Sequence, residues 1–110
     1  MRDNTVDRTL LLDFYGELLT DKQREYCDLH WNEDWSLAEI AERDGLSRQA
    51  AWDILRRAEN SLRNFESKTG LVGRYLRRME QIRQIHAELA QRLPEDAYKT
   101  QLLARIEELL

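Results

Sequence analysis

The stretch "SLAEIAERDGLSRQAAWDIL", residues 36–55, decides how this chain is read. Ser36 stands just before a periodic apolar segment and Glu39 follows three residues later, the reciprocal arrangement that caps a helix start. Gly45 tolerates positive φ and so can stop that helix in a tight turn. Ser47 then caps a second helix. Ile40, Leu46, Ala51 and Ile54 supply an apolar wedge before the turn, after it and one turn into the second helix. Ala41 is small enough to let two helices cross steeply. Together these residues predict a helix-turn-helix, with a plain helical hairpin as the alternative.

Working outward, hydrophobic spacing predicts six helices and no strand. The first covers 6–19, with Val6, Leu10, Phe14 and Leu18 at intervals of four. Thr20 and Gln23 form a capping box for the second, 21–34, whose apolar side carries Tyr26, Cys27, Leu29, His30 and Trp31. The third is 37–44. The fourth runs from Ser47 to about Lys68, before Gly70, with Ala51, Ile54, Leu55, Ala58, Leu62 and Phe65 facing inward. The fifth spans 71–93 and ends at Pro94, which begins the sixth, 95–110. The expectation is an all-α chain in two parts. Residues 1–68 form a helix-turn-helix bundle continued by a long helix, and residues 69–110 form a C-terminal helical hairpin used for packing or dimerisation.

The chain has 110 residues, 35% of them charged, and a net charge of −4. A helix-turn-helix suggests DNA, a polyanion, so the placement of charge matters. Residues 1–45 hold 5 basic and 12 acidic side chains, whereas residues 56–92 hold 9 basic and 4 acidic ones. An acidic protein can therefore present a basic face; the alternative is that long helices simply carry solvated charge. The single cysteine excludes an intramolecular disulfide. The start lacks the apolar core of a signal peptide, and no run approaches the ~18 apolar residues of a membrane span. A cytoplasmic protein without membrane insertion is expected.

The second helix of the motif would offer Ser47, Arg48, Gln49, Trp52, Asp53 and Arg56 to a groove. Arg48 suits guanine and Gln49 suits adenine. Asp53 would repel phosphate, and Ala50 offers no hydrogen bond. Arg63, Arg74, Arg77 and Arg78 extend the expected contact set. Trp52 falls away from the inward stripe. It either touches a base or a partner protein, or is covered by the fifth or sixth helix, the reading preferred from the sequence.

No catalytic constellation is present, so no enzyme is expected. Cys27 and His30 lie three apart, but two ligands do not make a zinc site. "DGLSRQ" lacks the lysine and preceding strand of a phosphate loop. No metal or cofactor is expected. In the fifth helix Val72, Tyr75, Met79, Ile82, His86, Leu89 and Leu93 alternate intervals of three and four, a heptad seam. Paired with Tyr98, Leu102, Ile106 and Leu109 it closes a hairpin, and apolar surface left over would support a homodimer. His86 is read as a satisfied seam histidine.

Two resemblances follow. "LTDKQREY", "SLAEIAERDGLSRQA" and "RRAENSLR" resemble region 4 of bacterial sigma factors. More closely, "LLDFYGELLTDKQREY", "SLAEIAE", "SRQA" closely followed by an aromatic residue and Asp, and a long helix ending near "NFESKTGL" resemble the YlxM family of small Gram-positive proteins. The likeness covers residues 6–80. It implies a helix-turn-helix protein that binds DNA; the residues themselves leave DNA or RNA open. It also implies a part in the signal recognition particle pathway, since the family's genes typically lie beside that of the particle's GTPase. A module that binds a protein or ribonucleoprotein, such as signal recognition particle components, is the alternative implied. Compared with sigma region 4 the chain departs at Ala50, Trp52 and Asp53.

Overall fold

The computed structural model describes residues 7–110, which form two compact units divided between Val72 and Gly73. Among the described residues every regular element is helical: α1 (Arg8–Tyr15), α2 (Asp21–Cys27), α3 (Leu37–Asp44), α4 (Arg48–Thr69), α5 (Leu71–Arg92) and α6 (Ala97–Glu107). The fold is all-α.

In the first unit, local hydrogen bonds set the helix starts. Asp7 accepts from the Thr9 N–H at 2.9 Å and opens α1. Thr20 and Gln23 close one capping box, and Ser36 and Glu39 another, each side chain bonding the other's backbone N–H. These two boxes fall where the sequence puts them. The bond from Ser36 holds the Glu39 carboxyl below its ordinary range. The first two helices are shorter than expected. Tyr15 ends α1, and Gly16–Leu18 tighten into a 3₁₀ turn. After Cys27, Asp28–Asn32 widen into a π turn, and Asp34 adopts a positive φ of 60°.

The inward face of α1 also differs from the expected one. Leu11, Leu12, Tyr15 and Leu19 are buried, whereas Phe14 and Leu18 are exposed and Val6 lies outside the described residues. The run "LLLDFY" carries two stripes at interval four, and Tyr15 decides between them. Its hydroxyl donates to Glu66 Oε1 at 2.5 Å and shares a hydrogen bond with Thr69 Oγ1 at 2.6 Å. Its ring lies 5.9 Å from that of Phe65. Glu66 Oε1 also accepts the Val72 N–H, so one carboxylate links α1, the end of α4 and the start of α5.

The long helix α4 is the spine of this unit, with α1, α2 and α3 packed along one side of it. Its inward stripe of Ala51, Leu55, Ala58 and Leu62 is buried, flanked by half-buried Ile54 and Phe65, as its spacing predicts. Tyr26, Cys27, Ile40 and Ala41 meet it from α2 and α3. A fully buried Leu or Ile side chain contributes about 1.5–3 kcal/mol by leaving water, so this stripe anchors the unit. Gly70, at φ 65°, ends α4, and α5 begins at the next residue.

The second unit holds most of α5, then α6. Pro94 lies between the helices, and Asp96 caps α6 by accepting from the Lys99 N–H at 2.9 Å, so that helix starts two residues later than expected. His86 Nε2 of α5 lies 3.1 Å from Glu107 Oε1 of α6, linking the two helices. Met79 and Lys99 are both buried, the Lys99 ammonium 2.5 Å from Glu95.

Candidate nucleic-acid interface

The turn between α3 and α4 is built by three residues. Gly45 takes the left-handed conformation (φ 67°, ψ 33°). Its N–H donates to Glu42 O at 3.4 Å and the Leu46 N–H donates to Ala41 O at 2.9 Å, which satisfies the carbonyls at the end of α3. A Cβ at Gly45 would meet no atom within 4 Å, so glycine is required there by the backbone angle rather than by space. Ser47 Oγ then accepts the Ala50 N–H at 3.0 Å and starts α4. Because position 50 is alanine, no side chain returns the bond.

At 100° per residue, Gln49, Trp52, Asp53, Arg56 and Arg63 share one side of α4, while Arg48 borders the buried stripe beside Leu55. Ser47, Arg48, Gln49, Trp52 and Arg56 are exposed. Trp52 keeps 45% of its surface. The group over its ring belongs to its own helix: the Arg56 guanidinium carbon lies 5.3 Å from the ring centroid. The pair is i, i+4, the spacing that brings side chains together on a helix.

The other polar residues of this face are partly engaged. Gln49 Nε2 donates to Asp53 Oδ1 at 3.4 Å, and the same oxygen lies 3.8 Å from Arg56 Nη2. Arg63 is half-buried and bound to Glu59 at 3.0 Å, while Arg8 reaches the same carboxylate at 3.4 Å. Arg48 is exposed and has no acidic partner among the described residues. Arg57 and Lys68 are in the same state, although sequence reasoning counted them only within a basic stretch. What distinguishes them is the absence of a carboxylate three or four residues away that reaches them.

On the second unit Arg74, Arg77 and Arg78 are exposed, again without an acidic partner among the described residues. They lie on the side of α5 opposite Val72 and Met79. Arg83 and Arg92 have Glu80 at 3.9 Å and Glu88 at 3.3 Å. Of the seam residues, Val72 is fully buried in the core of the first unit and Met79 is buried. Ile82, His86 and Leu89 are half-buried, and Tyr75 is 38% exposed.

In the acidic first third Arg43 is held by its neighbours. It binds Asp44 at 2.8 Å and Glu25 at 2.9 Å, with its guanidinium 5.7 Å from the Trp35 ring centroid. Bonds from Arg43 and Tyr26 hold the Asp44 carboxyl down to about 2. Between α1 and α2 a cleft of about 650 Å³ is lined by Asp13, Glu17, Asp21, Glu25 and Asp28, with Arg24 as its one cation. That face repels phosphate.

Cys27 and His30 are each occupied by structure. Burial, with Glu59 adding to it, pushes the Cys27 thiol up to about 12. His30 Nδ1 lies 2.6 Å from the Trp35 carbonyl oxygen. Among the described residues no group of three metal-binding side chains converges, and no helix is long and apolar enough to cross a membrane.

Comparison with known proteins agrees with this geometry. A family model described as "Putative helix-turn-helix protein, YlxM / p13 like" matches residues 2–106. A UPF0122 protein of Geobacillus kaustophilus is 40% identical over 109 residues, covering 99% of both chains. The UPF0122 protein TTE1463 of Caldanaerobacter subterraneus subsp. tengcongensis is 48% identical over 85 residues, 77% of this chain and 73% of its own. A UPF0122 protein of Listeria monocytogenes, lmo1802, is 41% identical over 92 residues, 84% of each.

Proposed function

We propose, for a chain that belongs to the YlxM/p13-like helix-turn-helix family, that it is a nucleic-acid-binding regulatory protein rather than an enzyme. In this reading it binds DNA or RNA mainly through phosphate and reads sequence weakly. The observation that carries the reading is the uneven state of the cations. Arg8, Arg43, Arg56, Arg63, Arg83 and Arg92 are bound to carboxylates, while Arg48, Arg57, Lys68, Arg74, Arg77 and Arg78, and elsewhere in the chain Arg24 and Arg105, are exposed and without an acidic partner among the described residues. Phosphate contacts draw on exposed, unpaired cations because binding there displaces counterions without first breaking an ion pair.

Weak specificity follows from the helix face itself. Arg48 is the one side chain there that is both suited to a bidentate base contact and unengaged. A good bidentate pair supplies ~1–3 kcal/mol of discrimination. Specific DNA binders usually hold a margin of roughly 4–10 kcal/mol over non-specific sites. Asp53 lowers affinity for any duplex by repelling phosphate. The pathway we assign, on the family's genomic setting, is that of the signal recognition particle in the cytoplasm. The exposed Trp52 favours a second reading, in which the same fold docks on a protein or ribonucleoprotein component of that particle.

The test is the salt dependence of binding to a fixed duplex and to a structured RNA. Log affinity should fall linearly with log salt. Replacing Arg74, Arg77 and Arg78 together by Ala should flatten the slope by roughly 2–3 units, about 0.7–0.9 for each phosphate no longer neutralised. An unchanged slope places the phosphate-binding cations elsewhere. Absence of any nucleic-acid binding, with partner capture that survives nuclease treatment, favours the docking reading.

A further inference from the structure

We propose that Trp52 and Arg56 form a stacking site for an unpaired base, so that the strand bound at α4 is single-stranded at that point. The inference rests on the nucleic-acid reading above and names the form of ligand that the face fits. Trp52 lies on the second turn of α4, 45% exposed, with the Arg56 guanidinium 5.3 Å from its ring centroid. Indole and guanidinium are both flat and weakly hydrated, and both stack on nucleobases.

A base can use such a platform only when its own face is open. In a duplex each base face is covered by its neighbours, and the groove displays only edges, to which indole offers a single N–H and no bidentate pair. The side chains that could read edges are partly committed to each other, Gln49 to Asp53 and Asp53 to Arg56. The Asp53 carboxylate would also face the phosphate walls of a groove. A single strand avoids both difficulties. One base stacks on the platform while a flanking phosphate reaches Arg48, one turn before Trp52 on the same helix, exposed and unpaired among the described residues. Stacking on an exposed aromatic residue is tolerant of sequence, in keeping with the weak specificity inferred above.

The experiment compares binding of a single-stranded 12-mer of thymidine or uridine with that of a mixed-sequence duplex of equal length, at one fixed salt concentration. The proteins are the full chain and its Trp52→Ala, Trp52→Phe and Trp52→Leu variants. Trp52→Ala should weaken single-strand binding by about 5- to 150-fold, the loss produced by removing one base–aromatic stack. Trp52→Phe should keep most of the affinity and Trp52→Leu should not. Duplex binding should change less than twofold in all three. Wild-type tryptophan fluorescence should be quenched by the single strand, and the quench should be absent in Trp52→Phe. Because the side chain is exposed, thermal unfolding of each variant reports intact folding. Equal losses on duplex and single strand would assign Trp52 to groove contact and overturn the proposal. Full rescue by Leu would assign it to apolar docking, as on a protein, and also overturn it. Strong nucleic-acid binding that ignores Trp52 sinks this inference alone, whereas no binding to either probe sinks the nucleic-acid reading with it.

Discussion

The Tyr26 hydroxyl donates a hydrogen bond to the Asp44 carboxylate, joining the end of α2 to the last residue of α3, just before the turn that sets α4. Tyr26 is fully buried, and burial together with Asp44 pushes its hydroxyl up to about 12. Asp44 is held at about 2, first by Arg43 and then by Tyr26. A carboxyl with a depressed folded-state value stabilises the fold above its unfolded value, near 3.8, and loses that contribution as pH falls toward 2. The urea midpoint of the wild type should therefore drop between pH 4 and 2, and its advantage over Asp44→Asn should shrink across that window. A constant gap would show that the carboxylate contributes nothing through its charge. Tyr26→Phe should cost about 1 kcal/mol, the net value of one such hydrogen bond.

Cys27 should be chemically silent in the folded protein. It is fully buried and its thiol is pushed up to about 12, so almost no thiolate exists near neutral pH. Reaction with an aromatic disulfide reagent should be undetectable over minutes in buffer and complete in concentrated urea. Fast native labelling would mean that α2 opens readily.

Gly45→Ala tests the turn in isolation. Its new Cβ meets no neighbour, so the only cost is the left-handed backbone at φ 67°, roughly 1–2 kcal/mol. Chemical denaturation should show that loss with an unchanged denaturant slope. A neutral result would mean that the turn relaxes to another form.

We infer self-association through α5 from the surface that Tyr75, Ile82 and Leu89 keep, whereas Val72 is fully buried within its own chain and has none to give. Sedimentation at tens of micromolar should show a dimer. Ile82→Asp should yield a folded monomer, since an unpaired charge in an apolar seam is costly. A wild-type monomer at that concentration would remove the seam from function.

What could be read in the sequence was what is local. Thr20 with Gln23, Ser36 with Glu39, and Gly45 before Ser47 each act over at most three residues, so spacing alone locates them. The inward face of α1 could not be read that way. Leu10–Phe14–Leu18 and Leu11–Tyr15–Leu19 have equal periodicity, and the choice depends on Glu66 and Thr69 more than fifty residues away. The π turn at Asp28–Asn32 carries no Gly or Pro to announce it. Within the candidate interface, Arg63 counts among the contacts expected from the sequence, although Glu59, four residues before it, stands at the spacing that pairs with it. The engagement of Arg8 by that same Glu59 was not legible, because it joins two helices distant in sequence.

The caps at Asp7, Thr20, Ser36, Ser47 and Asp96 also bear on how quickly the chain finds its structure. Each fixes one helix start by a bond to a backbone N–H no more than three residues ahead, so the start is specified before any distant segment arrives. The slow part of helix formation is its first turn, and a cap lowers that barrier at a defined residue. Chains rich in such neighbouring contacts fold in roughly microseconds to milliseconds. The interval in which Ile40, Leu62 and the other core side chains stand open to a second unfolded chain is correspondingly brief.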